Sequence, residues 1–353
     1  MFSTWICDPT VGLWRLTVER ARAVTRMTKF IMAGITALVL AALPATAQDR
    51  PQSGTIKLVV PSAAGGVHDI AGRLWAEGMK VSLGTIVIDN RGGAGGVVAM
   101  GEVARATRDG STLLLGSNSS NILTPLIWKA SGKQFPLDPI KDFEVITVFA
   151  GTATAIAVNP ALPIRSLKEL IAHVRANPGQ LTYAHAGVGA ISHVAGEMFK
   201  QLAGGLDVRP VPYRGMGPAQ ADVINGSVSM FVPNITGQVV ELHNAGQIRL
   251  LAVNSTTRHP ALPGIETALE SGLPGMITQN IFAIFGPAGM PRIDVDRINA
   301  ASRQALAEKP FQDRLTRSAF DAILGLDVDK SRALMKDEYV RWEMIIKAAN
   351  IKE

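Results

Sequence analysis

With 353 residues, 47% of them hydrophobic and only 18% charged, the chain carries enough apolar surface to offset the entropy of ordering, which excludes intrinsic disorder and leaves room for two domains. The net charge is +6, but residues 1–47 hold five basic groups against two acidic ones, so the remainder carries only about +3 without a dense Lys/Arg cluster, and nucleic acid is excluded as a partner. The single cysteine, Cys7, falls in a segment expected to be removed, so disulfides, iron–sulfur clusters and thiolate-bound zinc are not expected in the mature chain.

Export is read from Arg26-Met27-Thr28-Lys29, followed by the apolar run from Phe30 to Leu43 and the small residues of Pro44-Ala45-Thr46-Ala47. This pattern predicts a signal peptide cleaved after Ala47, with Met27 as the translation start and the periplasm as destination. The apolar run is short for a membrane span, so an uncleaved anchor is the lesser reading.

Beyond the leader, short β-rich runs alternate with amphipathic helices, the pattern of an α/β protein with mainly parallel strands. Strands are expected at Thr55–Val60, Thr85–Ile88, Thr112–Gly116, Val145–Phe149, Ala153–Val158, Leu181–Ala184, Arg249–Val253 and Ile281–Phe285. Ser166 and Glu169 form a capping box, and Leu167, Leu170, Ile171 and Val174 then follow on one helical face. In the last helix Met335, Tyr339, Trp342, Ile346 and Ala349 make a stripe that reads as a core face. No linker-like tract divides the chain. Two lobes joined by ordinary strands are expected, one from residues 48–150 plus 278–353 and the other from 151–277.

Three glycine-bearing segments leave strands and open helices. In Pro61-Ser62-Ala63-Ala64-Gly65-Gly66-Val67-His68-Asp69, small residues allow close backbone approach, and free amides at the helix start favour an anion. Asp69 is expected to N-cap that helix, a capping role rather than a catalytic one. The second segment, His185-Ala186-Gly187-Val188-Gly189-Ala190-Ile191-Ser192-His193, has Ser192 where a dinucleotide fingerprint needs its third glycine, so it reads as an anion cradle. The third, Asn90-Arg91-Gly92-Gly93-Ala94-Gly95-Gly96, reads as tight turning and close helix packing. No nucleophile elbow, Walker loop or zinc-protease helix is present, and the six histidines lack metal-ligand spacing. Neither an enzyme nor a metal or cofactor site is expected.

Taken together, the chain resembles the Bug-type substrate-binding proteins of tripartite tricarboxylate transporters. The resemblance rests on Lys57-Leu58-Val59-Val60-Pro61 with Gly65-Gly66 and Asp69, Asp89 through Gly96, Asp109-Gly110, Lys141-Asp142-Phe143 and Val158-Asn159-Pro160. It continues through Gly187-x-Gly189 with Ser192-His193, Val211 through Gly215, Arg249 through Val253, Leu262-Pro263 and Pro287-Ala288-Gly289-x-Pro291. It implies a type II periplasmic-binding-protein-like fold with a ligand cleft between two α/β lobes. The implied function is capture of a small organic acid for tripartite tricarboxylate-type membrane permease subunits, by a monomer that closes on its ligand.

On that resemblance Ser62, Ala63, Ala64, Gly65, Gly66, Val67, His68 and Asp69 supply one jaw. His185, Ala186, Gly187, Val188, Gly189, Ala190 and Ser192 supply the other, and Tyr213, Arg214 and Asn234 shape the second lobe's wall. The chain also departs from the family pattern. Ser62, Ala63 and Ala64 stand in place of an aromatic residue and two prolines, and His68 replaces a hydroxyl residue. His185 and Val188 replace a serine and an asparagine, Ala190 replaces another hydroxyl residue, and Ile281 and Ala283 replace a tryptophan and a glycine near the hinge. The cleft so loses hydroxyls and gains imidazoles, which points to an aromatic or bulkier acid. Two other readings stay open at this point: an exported enzyme using His185 or His193 as a base, and a ligand sensor feeding a membrane kinase.

Overall fold

A computed structural model describes residues 54–352, which lie in a single compact unit spanning Ser53–Glu353. The expected leader and the expected cleavage after Ala47 fall outside the described residues.

The apolar strand β1 (Ile56–Val60) is buried almost throughout, because it is paired on both edges and covered on both faces. The chain then runs through α1 (Val67–Leu83), β2 (Ile86–Asn90), α2 (Val97–Ala104) and β3 (Thr112–Ser117). Both β2 and β3 pair with β1 in parallel, which requires the helical crossovers that separate them in sequence. A π-helical turn (Ser119–Leu123) leads into the short α3 (Thr124–Ala130), and the long β4 (Phe143–Ala153) completes this pass.

A second sheet begins one residue later with β5 (Ala155–Val158). It continues through α4 (Leu167–Ala176), β6 (Thr182–His185), α5 (Ile191–Leu202), β7 (Arg209–Pro212), α6 (Met216–Ile224), β8 (Met230–Phe231), α7 (Gly237–Asn244) and β9 (Arg249–Val253). The chain returns to the first sheet with β10 (Gln279–Pro287) and closes with α8 (Arg292–Ala307), α9 (Lys309–Arg317), β11 (Asp321–Ala322) and α10 (Val328–Ala348). The sheet orders are β11-β4-β10-β3-β1-β2 and β7-β6-β8-β5-β9.

Both sheets are mixed, which corrects the expectation of mainly parallel strands. β10 enters its sheet antiparallel to both β3 and β4, and β5 is antiparallel to β8 and β9. An apolar run such as Ile281–Phe285 reports burial and says nothing of strand direction. That direction is set by the route of the returning chain.

The crossing between sheets is tied by backbone bonds: Thr154 N–H to Thr278 O at 3.0 Å, Asn254 N–H to Thr154 O at 2.8 Å and Thr278 N–H to Asn254 O at 2.9 Å. Ser166 caps α4 as expected, accepting from Glu169 N at 3.2 Å, while the Glu169 carboxylate reaches one residue further than its usual partner, to Arg165 N at 2.6 Å. The stripe on α10 faces the core, with Met335, Trp342 and Ile346 buried. Burial of such side chains supplies about 1.5–3 kcal/mol each.

Candidate functional site

In open α/β sheets ligands collect outside the carboxyl ends of the parallel strands. Here those ends are Val60 and Ser117 in the first sheet and His185 and Phe231 in the second. The loops that follow them meet. Ile191 N–H donates to Ser119 Oγ at 3.0 Å, and an added Cβ on Gly189 would lie 2.6 Å from Thr124 Cα.

The first loop is held open by one carboxylate. Asp69 Oδ2 accepts from Gly65 N at 2.8 Å and from Arg73 Nε at 2.9 Å, and its Oδ1 accepts from Asn90 Nδ2 at 3.0 Å. Burial opposes ionisation of Asp69, but these three donors outweigh it and hold the carboxyl below its ordinary range. The helix starts earlier than the sequence suggests: Gly66 is the N-cap and Asp69 sits in the first turn. Asp69 therefore does not cap the helix but reaches back to fix the loop, because Gly66 has no side chain to offer. Among the described residues the amides of Ala64, Val67, His68 and Asp69 have no acceptor, so the α1 N-terminus presents unpaired donors. Ala63, Ala64 and Gly65 are exposed and Ser62 half-buried. Their backbone is accessible from outside.

His68 adds a side chain to this end. Its Nε2 lies 2.9 Å from Ser117 Oγ, and its ring stands edge-on to Phe282 with centroids 5.4 Å apart. Burial pushes the imidazole down to about 4, so the ring is neutral at neutral pH.

The second loop is largely self-satisfied. Ala186 N donates to Ser192 Oγ at 3.0 Å, Gly189 N to His193 Nδ1 at 3.3 Å and Ala190 N to Gly187 O at 3.2 Å. His185 Nδ1 lies 3.0 Å from Gly187 O, and the His185 and His193 rings pack with centroids 4.6 Å apart. Burial holds His185 below its ordinary value, against opposing contributions from Gly187 and Glu197. Among this loop's amides, those of Val188 and Ser192 have no acceptor among the described residues. The two jaws are thus unequal: the first leaves four amides unpaired, and the second leaves two.

Tyr213 turns toward its own lobe, donating to Asp222 Oδ2 at 2.5 Å, while its amide bonds His185 O at 2.9 Å. That hydrogen bond, with burial, raises the phenol to about 12. Arg214 is exposed and has no ion pair among the described residues. Asn234 is buried beside Thr154, and its Oδ1 has no partner.

Sequence reasoning missed the segment that both jaws touch. Ser117, Asn118, Ser119, Ser120, Asn121 and Thr124 are all buried polar residues at the end of β3. Asn118 Nδ2 donates to Glu338 Oε2 at 2.8 Å and to Gln279 O at 2.9 Å, and its Oδ1 accepts from Ile281 N at 3.0 Å. The signal was present, since six small or polar residues from Gly116 interrupt two apolar runs where a buried helix would otherwise begin. Gly95 and Gly96, both with positive φ, pack against Thr124 and Ser120, which gives the third glycine segment its expected packing role. Ser192 and His193 are engaged with loop amides, an arrangement that supports the turn. Among the described residues no group of three or more His, Cys, Asp or Glu is placed to hold a metal ion, and no helix is long and apolar enough to cross a membrane.

Two mixed sheets with helices and facing strand-end loops define the class as a two-lobed α/β binding protein of the periplasmic type. Residues 71–351 match the family model described as "Tripartite tricarboxylate transporter family receptor", and the chain belongs to that family. It is 30% identical over 312 residues to protein BugT of Bordetella pertussis, covering 88% of this chain and 94% of that one. Among solved structures, Rpa4515 of R. palustris with adipate is 30% identical with a TM-score of 0.81, over 86% of this chain and 99% of that one. MatC (Rpa3494) of Rhodopseudomonas palustris with bound malate is 29% identical with a TM-score of 0.76, over 83% and 99% respectively.

Proposed function

We propose that this protein is a periplasmic receptor that captures a small organic acid between its lobes and delivers it, chemically unaltered, to the membrane subunits of a tripartite tricarboxylate-type transporter. The observation that carries this reading is the row of unpaired amides at the start of α1, just past the carboxyl end of β1 and braced by Asp69. Unpaired N–H groups at a helix N-terminus attract a carboxylate through both hydrogen bonding and the helix dipole. The adipate and malate held by two related structures support the same ligand class. Lobes of residues 48–150 plus 278–353 and of 151–277 would rotate about the Thr154, Asn254 and Thr278 crossing, opening the Ser119–Ile191 contact to admit ligand.

Thermal unfolding of the purified protein against malate, adipate and benzoate tests the proposal. A ligand that binds only the folded state raises the midpoint by mass action. A rise with one of these acids, and recovery of that acid intact, is the expected result. Absence of any shift across a broader panel of acids would remove the receptor reading.

A further inference from the structure

The hydrogen-bond network behind His68 leaves one hydroxyl proton to place. Ser117 N–H donates toward both Ser120 Oγ (3.1 Å) and Asn121 Oδ1 (3.3 Å), which fixes the Asn121 amide with its oxygen inward. Ser120 then spends its hydroxyl proton on Asn121 Oδ1 at 2.8 Å, and Ser120 N–H donates to Ser117 Oγ at 3.2 Å. Ser117 has a single hydroxyl proton left to place. Its nearer acceptor is His68 Nε2 at 2.9 Å, against Ser120 Oγ at 3.4 Å.

We propose that His68 is the specificity-determining residue of the cleft: Ser117 donates to its Nε2, so the imidazole carries its own proton on Nδ1 and offers that N–H to a ligand carboxylate. The inference rests on the receptor reading above and names the group that reads the ligand's charged end. His68 is the second residue of α1, and its Nδ1 has no partner among the described residues. His68 thus stands on the same first helical turn as the unpaired Val67 and His68 amides. Burial and the positive end of the helix dipole both keep the ring uncharged, so it recognises an acceptor by direction rather than by full charge. A ring N–H and helix-start amides accept a carboxylate oxygen and reject a ligand that presents an ammonium or another donor to them, since two donors would then face each other unpaired.

The position of the donor can be tested separately from its presence. In asparagine the Nδ2 donor is attached at the same distance along the side chain as Nδ1 of histidine, whereas glutamine moves it outward toward Ser117. Phenylalanine keeps the edge contact with Phe282 and has no donor. Malate, adipate and benzoate are titrated calorimetrically against wild type, H68N, H68Q and H68F. The tightest-binding acid should lose at least tenfold in affinity in H68Q and H68F and less than about threefold in H68N, consistent with one charge-assisted hydrogen bond. Long-range nitrogen–proton NMR of the ligand-free protein, with H68F identifying the resonances, should show His68 protonated on Nδ1. Undiminished binding by H68F, or a proton on Nε2, would overturn the inference while leaving the receptor reading intact. If wild type binds neither these acids nor any of the broader panel, the receptor reading falls and the inference with it.

Discussion

Ser119 on the first sheet's π-helical turn accepts the Ile191 amide of the second sheet's loop at 3.0 Å, spanning 72 residues of sequence. This hydroxyl occupies a helix N-terminal donor, so the lobes are held together by a contact that is made only when they approach. Ser119→Ala should leave the Ile191 amide unpaired when the lobes meet and weaken that approach by about 1 kcal/mol. Small-angle scattering is the check: the variant without ligand should give a larger radius of gyration than wild type.

Gly189 sits against Thr124 with φ +80°, and an added Cβ would lie 2.6 Å from Thr124 Cα. Backbone cannot yield as a flexible side-chain tip can. Gly189→Ala should therefore hold the loops apart and lower ligand affinity at least tenfold in calorimetry. Gly205→Ala is the control, since it also has positive φ (+78°) but nothing within 4 Å of the added carbon, and it should keep wild-type affinity.

Stability should rise with pH between about 4 and 6.5. The folded protein holds His68 at about 4 while the unfolded chain returns it to its ordinary value. In that window the unfolded state binds the extra proton, so the His68 contribution is complete above the unfolded value and is lost as pH falls toward the folded one. The loss amounts to about 2–3 kcal/mol. His185 is depressed in the same direction by burial and adds to the slope. Denaturant melts at stepped pH should show a flatter profile in H68N than in wild type.

Asp69 works in a lower window. Its folded value is depressed, so its contribution is present above the unfolded carboxylate range and disappears as pH falls through the folded value, below about 4. Asp69→Asn keeps the side chain's shape but removes the charge that Gly65, Arg73 and Asn90 share. It should cost about 1–3 kcal/mol at neutral pH in chemical denaturation. It should also weaken acid binding, because the first loop loses its brace.

Glu338 is buried on α10, and its Oε2 accepts from both Asn118 Nδ2 and Trp342 Nε1 at 2.8 Å. Glu338→Ala leaves the buried Trp342 Nε1–H without its acceptor and Asn118 Nδ2 with Gln279 O alone, and should cost about 2–4 kcal/mol. Glu338→Gln retains one carbonyl acceptor and should cost less than half as much. Urea unfolding of the pair separates the loss of the acceptor from the loss of charge.

Much of the architecture was legible from residue order. The strand at Arg249–Val253 lies where its apolar run predicted, and the Ser166 cap and α10 stripe follow from local chemistry that needs no distant partner. The strand-end loops were legible too, since small residues between a strand and a helix leave few alternatives. Strand direction was not, because the antiparallel entry of β10 depends on a chain that returns from the other sheet.

The sequence by itself determined that this is an α/β protein with glycine-bearing loops at its strand ends and no cysteine after Cys7, because composition, period and turn chemistry act over a few residues. Only the tertiary structure decided which loop offers free amides, that Asp69 braces rather than caps, and that Ser117, Ser119 and Thr124 join the two jaws. Those roles depend on contacts such as Ser119–Ile191 and Asn118–Glu338, between residues 72 and 220 positions apart. A hydroxyl or amide has the same local signature whether it meets water or a buried partner, and the packing of distant elements decides which.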